Sequence, residues 1–377
     1  MRQFSAMMLD AYRELNARKL FWIVMALSSL VVLAFLIVNI NDDKTLKILI
    51  WDTPIPVGAF VSQETFYKLM FTEFGVNIWL TWVATVLALV STAGIFPDFI
   101  GSGSIELVLA KPIGRLRLFL LKYISGLLFV TLQVAVFSFV SFFVIGIKGG
   151  AWEPAVFLAV PLVVCFFSYL FAFCVLIGMI TRSTIPALLL TIVFWFVIFG
   201  VHATESILYQ TSVVAELRVE SIEKELPIRS KYLEDLKHED PPPKESRITR
   251  LEEILSKRES LVPELKESAL KLQRYHRYSI YTKALLPKTS ETIDLLERWL
   301  VDLADLPDLM DQNDADQGID FSALQATERV RIDETELQRR VIEEQRGRSV
   351  FWILGTSLIF EFIILSLAAW IFCRRDF

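Results

Sequence analysis

The residue with the most unusual chemical setting is Glu361, which interrupts an apolar run from Ile359 to Ile363. An ionised carboxylate is costly inside hydrocarbon, so an acidic residue in such a run normally faces protein or water. Two roles are open: contact with a substrate or proton in a pathway, or a hydrogen bond that fixes a neighbouring helix. No basic residue is visible at a similar depth, which favours packing.

The other reactive side chains show no spacing that predicts catalysis or metal binding. No Ser-His-Asp or Cys-His grouping shares one depth, and the Gly-x-x-x-x-Gly-Lys-Ser/Thr loop that cradles ATP phosphates is absent. The histidines lie dozens of residues apart without ligand-spaced partners, and the cysteines lie in or beside apolar blocks, where packing is expected. We expect no enzymatic activity, no cofactor and no metal site involving His202, His238, His276, Cys165, Cys174 or Cys373.

Composition indicates a membrane protein. Hydrophobic residues make up 54% of the 377 residues and the mean hydropathy is +0.49, too apolar for a water-soluble domain of this size. The apolar residues form blocks of about 20, the length that a helix needs to cross a hydrocarbon core of ~30 Å. We predict an all-α polytopic protein with six transmembrane helices, at about residues 20–40, 76–96, 118–147, 154–180, 184–203 and 349–373.

Basic residues orient these spans. Eleven Lys and Arg residues lie at helix ends and in short loops on the side that carries both termini, against four on the other side. By the positive-inside rule, both termini are cytoplasmic and the chain lies in the cell membrane. The predicted domains are residues 1–19, 20–203, 204–348 and 349–377.

The domain at residues 204–348 is expected outside the cytoplasm, as a large helical insertion between spans five and six. Two stretches rich in Glu, Lys, Arg and Leu, 211–238 and 244–281, flank three prolines at 241–243, which predicts a helical hairpin. Isoleucine and leucine at near-heptad spacing in the second stretch predict a short coiled coil.

The most informative segment lies between spans two and three, on the predicted cytoplasmic side, at about residues 97–115. It contains the run Gly-Ser-Ile-Glu-x-x-Leu-x-x-Pro-Ile-x-Arg, which begins at Gly103 and ends at Arg115. Ser104 can cap a short helix that Pro112 stops. Such a segment would protrude as a rigid knob.

This run, with Lys122 seven residues on, resembles the coupling-helix region of type 2 ABC permeases. In that family the coupling helix docks into a groove on a separate ATPase subunit, and the resemblance implies that Arg115 and Lys122 steady the entry to span three. The alternative is an ordinary loop whose basic residues obey the positive-inside rule. The residues implied to couple to the ATPase are Ser104, Ile105, Glu106, Leu107, Leu109, Pro112 and Arg115.

Three further features resemble the same family: the amphipathic residues 1–19, similar to its cytoplasmic elbow helix, the Leu-Pro-Lys turn at 286–288, and the Arg-Arg-Asp-Phe ending. The resemblance implies a partner ATPase that binds ATP and Mg, a second permease chain that is identical or homologous, and export. Minimal members lack the long insert, which would contact an extracytoplasmic protein or cover the exit of the pathway. No nucleic-acid partner is expected.

Two other functions are left open by the sequence. One is mechanotransmission, in which ATP-driven motion passes through the membrane to the outer hairpin and no substrate crosses. The other is a membrane scaffold or sensor without an ATPase, against which the coupling-like run argues.

Overall fold

Most of the described residues lie in long helices. The computed structural model describes residues 19–40, 45–48, 51–56, 63–101, 114–150, 152–238, 245–301 and 334–375. These residues fall into two compact units. Unit 1 holds the described residues up to Phe199, from 285 to 301, and from Ser349 onwards, whereas unit 2 holds those from Gly200 to Ala284 and from 334 to Arg348.

Apolar helices build unit 1. Their bounds are α1 Lys19–Ile37, α2 Gln63–Leu69, a π-helix Met70–Ala84, α3 Thr85–Thr92, α4 Ile95–Gly101, α5 Arg115–Val144 with a π-helical end Ile145–Gly149, a 3-10 turn Pro154–Leu158, α6 Ala159–Thr181, the first part of α7 Thr184–Lys237, α9 Thr289–Leu300 and α11 Val350–Arg374. Helix α6 lies at the centre, because α5, α9 and α11 all pack against it. Its aromatic side chains Phe166, Phe167 and Phe171 are almost fully buried there.

Five of these helical stretches are long and apolar enough to cross a membrane. The predicted spans two to six fall on them, which supports the prediction of a helical membrane protein. The apolar part of α1 runs only from Phe21 to Ile37, shorter than the other five, so a sixth crossing stays a prediction. The five stretches are Glu64–Gly101, Arg115–Gly149, Pro154–Thr181, Thr184–Lys237 and Val350–Arg374.

A small antiparallel sheet follows α1. Its strands are β1 Val38–Ile40, β2 Thr45–Ile48 and β3 Trp51–Pro56, in that order across the sheet. β1 pairs with β2 through Asn39 and Lys47, and the pairing of β2 with β3 is irregular between Thr45 and Lys47. The sequence did not predict these strands, and β1 occupies the end of the predicted span at residues 20–40.

The described residues of unit 2 form three polar helices: the later part of α7, then α8 Glu245–Ala284 and α10 Glu334–Gly347. Span five and the first arm of the predicted hairpin are one helix, because α7 continues for 54 residues without a break and contains Pro227. The second predicted arm is α8, which likewise contains Pro263. The prolines at 241–243 lie outside the described residues, as do residues 1–18, where the elbow helix is predicted.

The residues of the predicted outer domain are divided between the two units. The third helix of the predicted outer domain is present as α9, Thr289–Leu300, but it groups with the apolar helices of unit 1. The reason is its pattern of burial: Ile293, Leu296 and Leu300 are nearly inaccessible and α9 packs on α6. Leucine at helical spacing on one face requires such an apolar partner.

Candidate functional site

Glu361 lies on α11, is half-buried, and joins three helices through hydroxyl groups. The Tyr123 hydroxyl on α5 donates to its Oε1 at 2.8 Å, and the Ser168 hydroxyl on α6 donates to its Oε2 at 2.8 Å. Both hydroxyl groups belong to buried residues. Each oxygen of the carboxyl group therefore has a neutral donor, as a polar group away from water requires.

The same two hydroxyls also lie beside backbone carbonyls. Tyr123 Oη is 3.1 Å from the Ser168 carbonyl oxygen, and Ser168 Oγ is 2.8 Å from the Cys165 carbonyl oxygen. Two hydroxyl protons thus face four acceptors, since each hydroxyl carries a single hydrogen. A protonated Glu361 would carry a third proton. One of the two hydroxyl groups could then rotate to donate to its neighbouring backbone carbonyl, so the network accommodates both protonation states of Glu361.

Aromatic stacking fixes the position of the Tyr123 hydroxyl. The Tyr123 ring stacks on Phe171 with centroids 5.2 Å apart, and Phe171 stacks on Phe167 at 5.5 Å. Gly126 leaves space for these stacked rings, because a Cβ at this position would lie 2.5 Å from the Phe171 ring. A stacked ring held by close packing presents its hydroxyl at one place.

The recorded partners of Glu361 are uncharged. Within the part of the chain that the structure describes, no Lys or Arg side chain pairs with Glu361, and both of its hydrogen-bond donors are hydroxyls on neighbouring helices. The sequence did not reveal those partners. Tyr123 and Ser168 are single polar residues in apolar blocks, and only the packing of α5, α6 and α11 brings them together.

A second polar cluster lies where α5 begins. Arg115, its first residue, donates from Nη1 to the carbonyl oxygens of Cys373 at 3.1 Å and Arg375 at 2.9 Å, so it satisfies carbonyls at the end of α11. Arg375 in turn donates to the Met179 carbonyl near the end of α6. The favourable placement of cations at helix C-termini contributes here.

Helix α4, which ends just before residues 102–113, also makes contacts at this end of unit 1. Asp98 on α4 lies 3.4 Å from the Thr184 hydroxyl at the start of α7. Lys122 on α5 lies 5.2 Å from the centre of the Phe99 ring on α4, a cation–π distance. The ends of α4 and α5 are therefore joined to each other and to α7, α6 and α11.

The predicted site residues are placed as follows. Arg115 is the first residue of α5. Glu361 lies twelve residues before Cys373 on α11, about 18 Å along the helix, so it is not part of the Arg115 cluster. The remaining coupling residues lie outside the described residues: Ser104, Ile105, Glu106, Leu107, Leu109 and Pro112.

A third cluster, in unit 2, was not predicted. Glu205 is 2% exposed and accepts from Lys283 Nζ at 2.7 Å and from Arg348 Nη2 at 2.5 Å. His276 Nε2 lies 3.1 Å from the same carboxylate. The first residues of α7 in this unit are thereby connected to the end of α8 and to the residue after α10. We call these four residues the Glu205 clasp.

Comparison of this chain with protein-family models, with curated proteins and with solved structures finds no match. The function must therefore be argued from the residues and their geometry.

Proposed function

We propose that this chain is the permease subunit of an ABC transporter, in which a separate ATPase subunit supplies the energy for export of a substrate. The observation that carries the proposal is the run from Gly103 to Arg115, which resembles a coupling helix and falls between the connected ends of α4 and α5. A segment that transmits force must be anchored at both ends. Arg115 and Asp98 provide such anchors.

In this proposal, ATP binding closes a pair of ATPase subunits and displaces the 104–110 knob. The displacement passes to α4 and α5, and through Arg115 to the end of α11. The six spans include α1, both termini are cytoplasmic, and residues 1–19 form the elbow helix. ATP and Mg belong to the ATPase subunit, because the sequence lacks a phosphate-binding loop.

A second permease chain, identical or homologous, completes the pathway. α11 and the apolar part of α7 leave large side chains uncovered, which suits lipid contact or a neighbouring chain. In α11, Phe351 is 91% exposed and Phe362 is 73% exposed. The α7 residues of this kind are Ile185, Leu189, Val193, Phe196 and Val197.

The test is a purification of the tagged chain from its native membrane in mild detergent, with wild type beside Glu106→Arg. We expect an ATPase subunit to accompany wild type and to be lost from Glu106→Arg, because a reversed charge opposes docking in the groove. Glu259→Arg is the matched control, since Glu259 is an exposed residue of α8 in unit 2. Retention of the ATPase by both variants would contradict the role of Glu106, and its absence from folded wild type would remove the proposal.

Mechanotransmission is a second candidate, favoured by one observation. Helix α7 contains 54 residues and continues without a break from the apolar span to Lys237. The Glu205 clasp then connects α7 to α8 and to the residue after α10. ATPase stimulation by an extracytoplasmic protein alone would support this function, whereas stimulation by a transported compound supports export.

A further inference from the structure

A pocket in unit 1 is lined by four aromatic side chains that touch one another. The Trp82 and Trp195 rings stack with centroids 4.8 Å apart, Phe199 meets Trp82 edge-on at 5.3 Å, and Phe166 meets Trp195 at 5.8 Å. Between these rings and the start of α9 lies a cavity of about 160 Å³. A water molecule takes about 30 Å³ of liquid volume, so the cavity has room for a small organic group. We call it the aromatic pocket.

Regular helix geometry brings these rings together. Trp195 and Phe199 are four residues apart on α7 and so share one face of that helix. Thr81 and Trp82 follow Asn77 by four and five residues in the π-helix, whose hydrogen bonds run from residue i to i+5. The Thr81 hydroxyl bonds the Val76 carbonyl in this register. All three π-helical side chains therefore line the same pocket.

The polar side of the pocket is acidic. Asp294 on α9 lies at the edge, and the described lining residues include no Lys, Arg or His. Asn77, Thr81 and Ser290 add an amide and two hydroxyls that can accept hydrogen bonds. The faces of indole rings attract cations, and a nearby carboxylate adds to that attraction.

Two backbone donors at the N-terminal end of α9 are engaged within the chain. The Thr289 amide donates to the Pro287 carbonyl and the Thr292 amide to the Lys288 carbonyl, so these donors are engaged within the chain. Lys288 does not line the pocket. Its ammonium group bonds the Thr356 hydroxyl and lies 4.1 Å from the centre of the Trp352 ring.

We propose that the aromatic pocket binds an organic ammonium group, with the indoles of Trp82 and Trp195 against its alkyl substituents and the Asp294 carboxylate as its counter-ion. Aromatic rings beside a carboxylate are the surroundings in which proteins hold quaternary ammonium groups. The group belongs either to a small free compound or to the head group of a zwitterionic lipid. This inference does not depend on an ATPase partner, and its failure would leave the proposed export function untouched.

The test uses the full chain in nanodiscs of phosphatidylglycerol, which carries no ammonium group. Choline is titrated and binding is followed by calorimetry, with 3,3-dimethylbutanol as the uncharged molecule of the same shape. We expect saturable binding of choline, and binding of the alcohol at least about tenfold weaker. Equal affinity for the two molecules, or no saturable binding of choline, would overturn the proposal.

Variants then locate the site. Asp294→Asn keeps the shape and removes the charge at an exposed position, so it should fold normally and weaken choline binding about tenfold. Trp82→Leu should abolish binding. Glu297→Gln is the matched control, because Glu297 lies one turn away on α9 and outside the pocket lining. Choline affinity unchanged in Asp294→Asn would show that any binding occurs elsewhere and overturn the assignment.

Replacing part of the phosphatidylglycerol by phosphatidylcholine separates the two sources of the ammonium group. A lipid head group in the pocket competes with free choline and raises its apparent Kd in wild type. An unchanged Kd identifies the site as one for free compounds. Either result is consistent with binding of an ammonium group and shows only whether the group belongs to a lipid or to a free compound.

Discussion

The Tyr123 hydroxyl donates to the Glu361 carboxyl group at 2.8 Å and so connects α5 with α11 across 238 residues of sequence. Ser168 on α6 completes the contact. A carboxyl group among hydroxyls on packed helices is a different environment from one that faces a water-filled path, where ions and protons pass along several polar groups. The two roles that the sequence left open therefore predict different effects of mutation.

Tyr123→Phe removes this hydrogen bond but keeps the ring that stacks on Phe171. We expect a loss of stability of about 0.5–2 kcal/mol, the range for hydrogen bonds between membrane helices and for polar groups left without a partner. Thermal unfolding of the detergent-purified chain measures it. Tyr275→Phe is the control, because Tyr275 is 59% exposed on α8. Unchanged stability in Tyr123→Phe would show that the contact does not hold the helices together.

Glu361→Gln distinguishes packing from a pathway. A neutral amide can keep both contacts, because its oxygen accepts from one hydroxyl and its NH2 group donates to the other, so a packing role predicts near wild-type stability and ATPase coupling. A proton or substrate pathway predicts loss of transport with normal stability. The measurement is substrate-stimulated ATPase activity beside thermal unfolding. Loss of coupling without loss of stability would assign Glu361 to the pathway.

Arg115→Ala should release the end of α11, because it removes the donors to the carbonyl oxygens of Cys373 and Arg375. Each hydrogen bond from a charged group contributes about 1.5–3 kcal/mol. We expect faster hydrogen exchange in the last turn of α11 and weaker coupling to the ATPase. Arg117→Ala is the control, since Arg117 is exposed two residues later. Equal exchange in the two variants would contradict the connection.

A pH effect is expected in α10. The Arg339 guanidinium, and after it that of Arg340, lower the pKa of Glu336 to about 2 from its usual value of 4.5. Because the pKa in the folded state is depressed, the contribution to stability is present above about pH 4.5 and is lost as the pH falls towards 2. Glu336 is partly exposed to solvent, so the effect is small.

Thermal unfolding at pH 5 and pH 2.5 measures this effect. Glu336→Gln should lower Tm at pH 5 by no more than about 2–4 °C, and the difference from wild type should be clearly smaller at pH 2.5. Glu264→Gln, at an exposed position of α8, provides the comparison. A Tm difference between wild type and Glu336→Gln that grows as the pH falls would contradict this prediction.

The sequence predicted the elements whose cause is local. Spans two to six are visible as apolar blocks, because crossing hydrocarbon requires a run of apolar residues wherever the helix packs. The predicted end of span five at residue 203 is different. Polar residues begin there, but α7 continues to Lys237, because a change of surroundings alters composition without breaking the backbone hydrogen bonds of a helix.

The pairing of distant side chains could not be predicted. Tyr123 and Ser168 lie in apolar blocks where a single polar residue is unremarkable, and Glu361 alone drew attention because it is acidic. The aromatic pocket likewise combines residues of the π-helix, α6, α7 and α9. The pocket forms because α9 packs against α6, which is far away in sequence. No local sequence pattern predicts that contact.

The Glu205 clasp gives the sharpest test of mechanotransmission. Glu205→Gln leaves Lys283 with an ammonium group that is 5% exposed and removes the opposite charge beside Arg348. Loss of one partner from a buried ion pair destabilises by about 3–5 kcal/mol. We expect unit 2 to become sensitive to limited proteolysis, while Glu223→Gln, whose partner Lys266 is half-exposed, changes stability by less than about 1 kcal/mol.

The functional readout of Glu205→Gln decides between the two candidate functions. In mechanotransmission, a loosened clasp interrupts the path from α7 to α8 and α10, so stimulation of the ATPase by an extracytoplasmic partner should fall although the ATPase still binds. In export, the described spans and the anchors at Arg115 and Asp98 are unaltered, so substrate-stimulated ATPase activity should persist. Loss of substrate stimulation in this variant, with the ATPase bound and unit 1 folded, would mean that unit 2 takes part in transport itself.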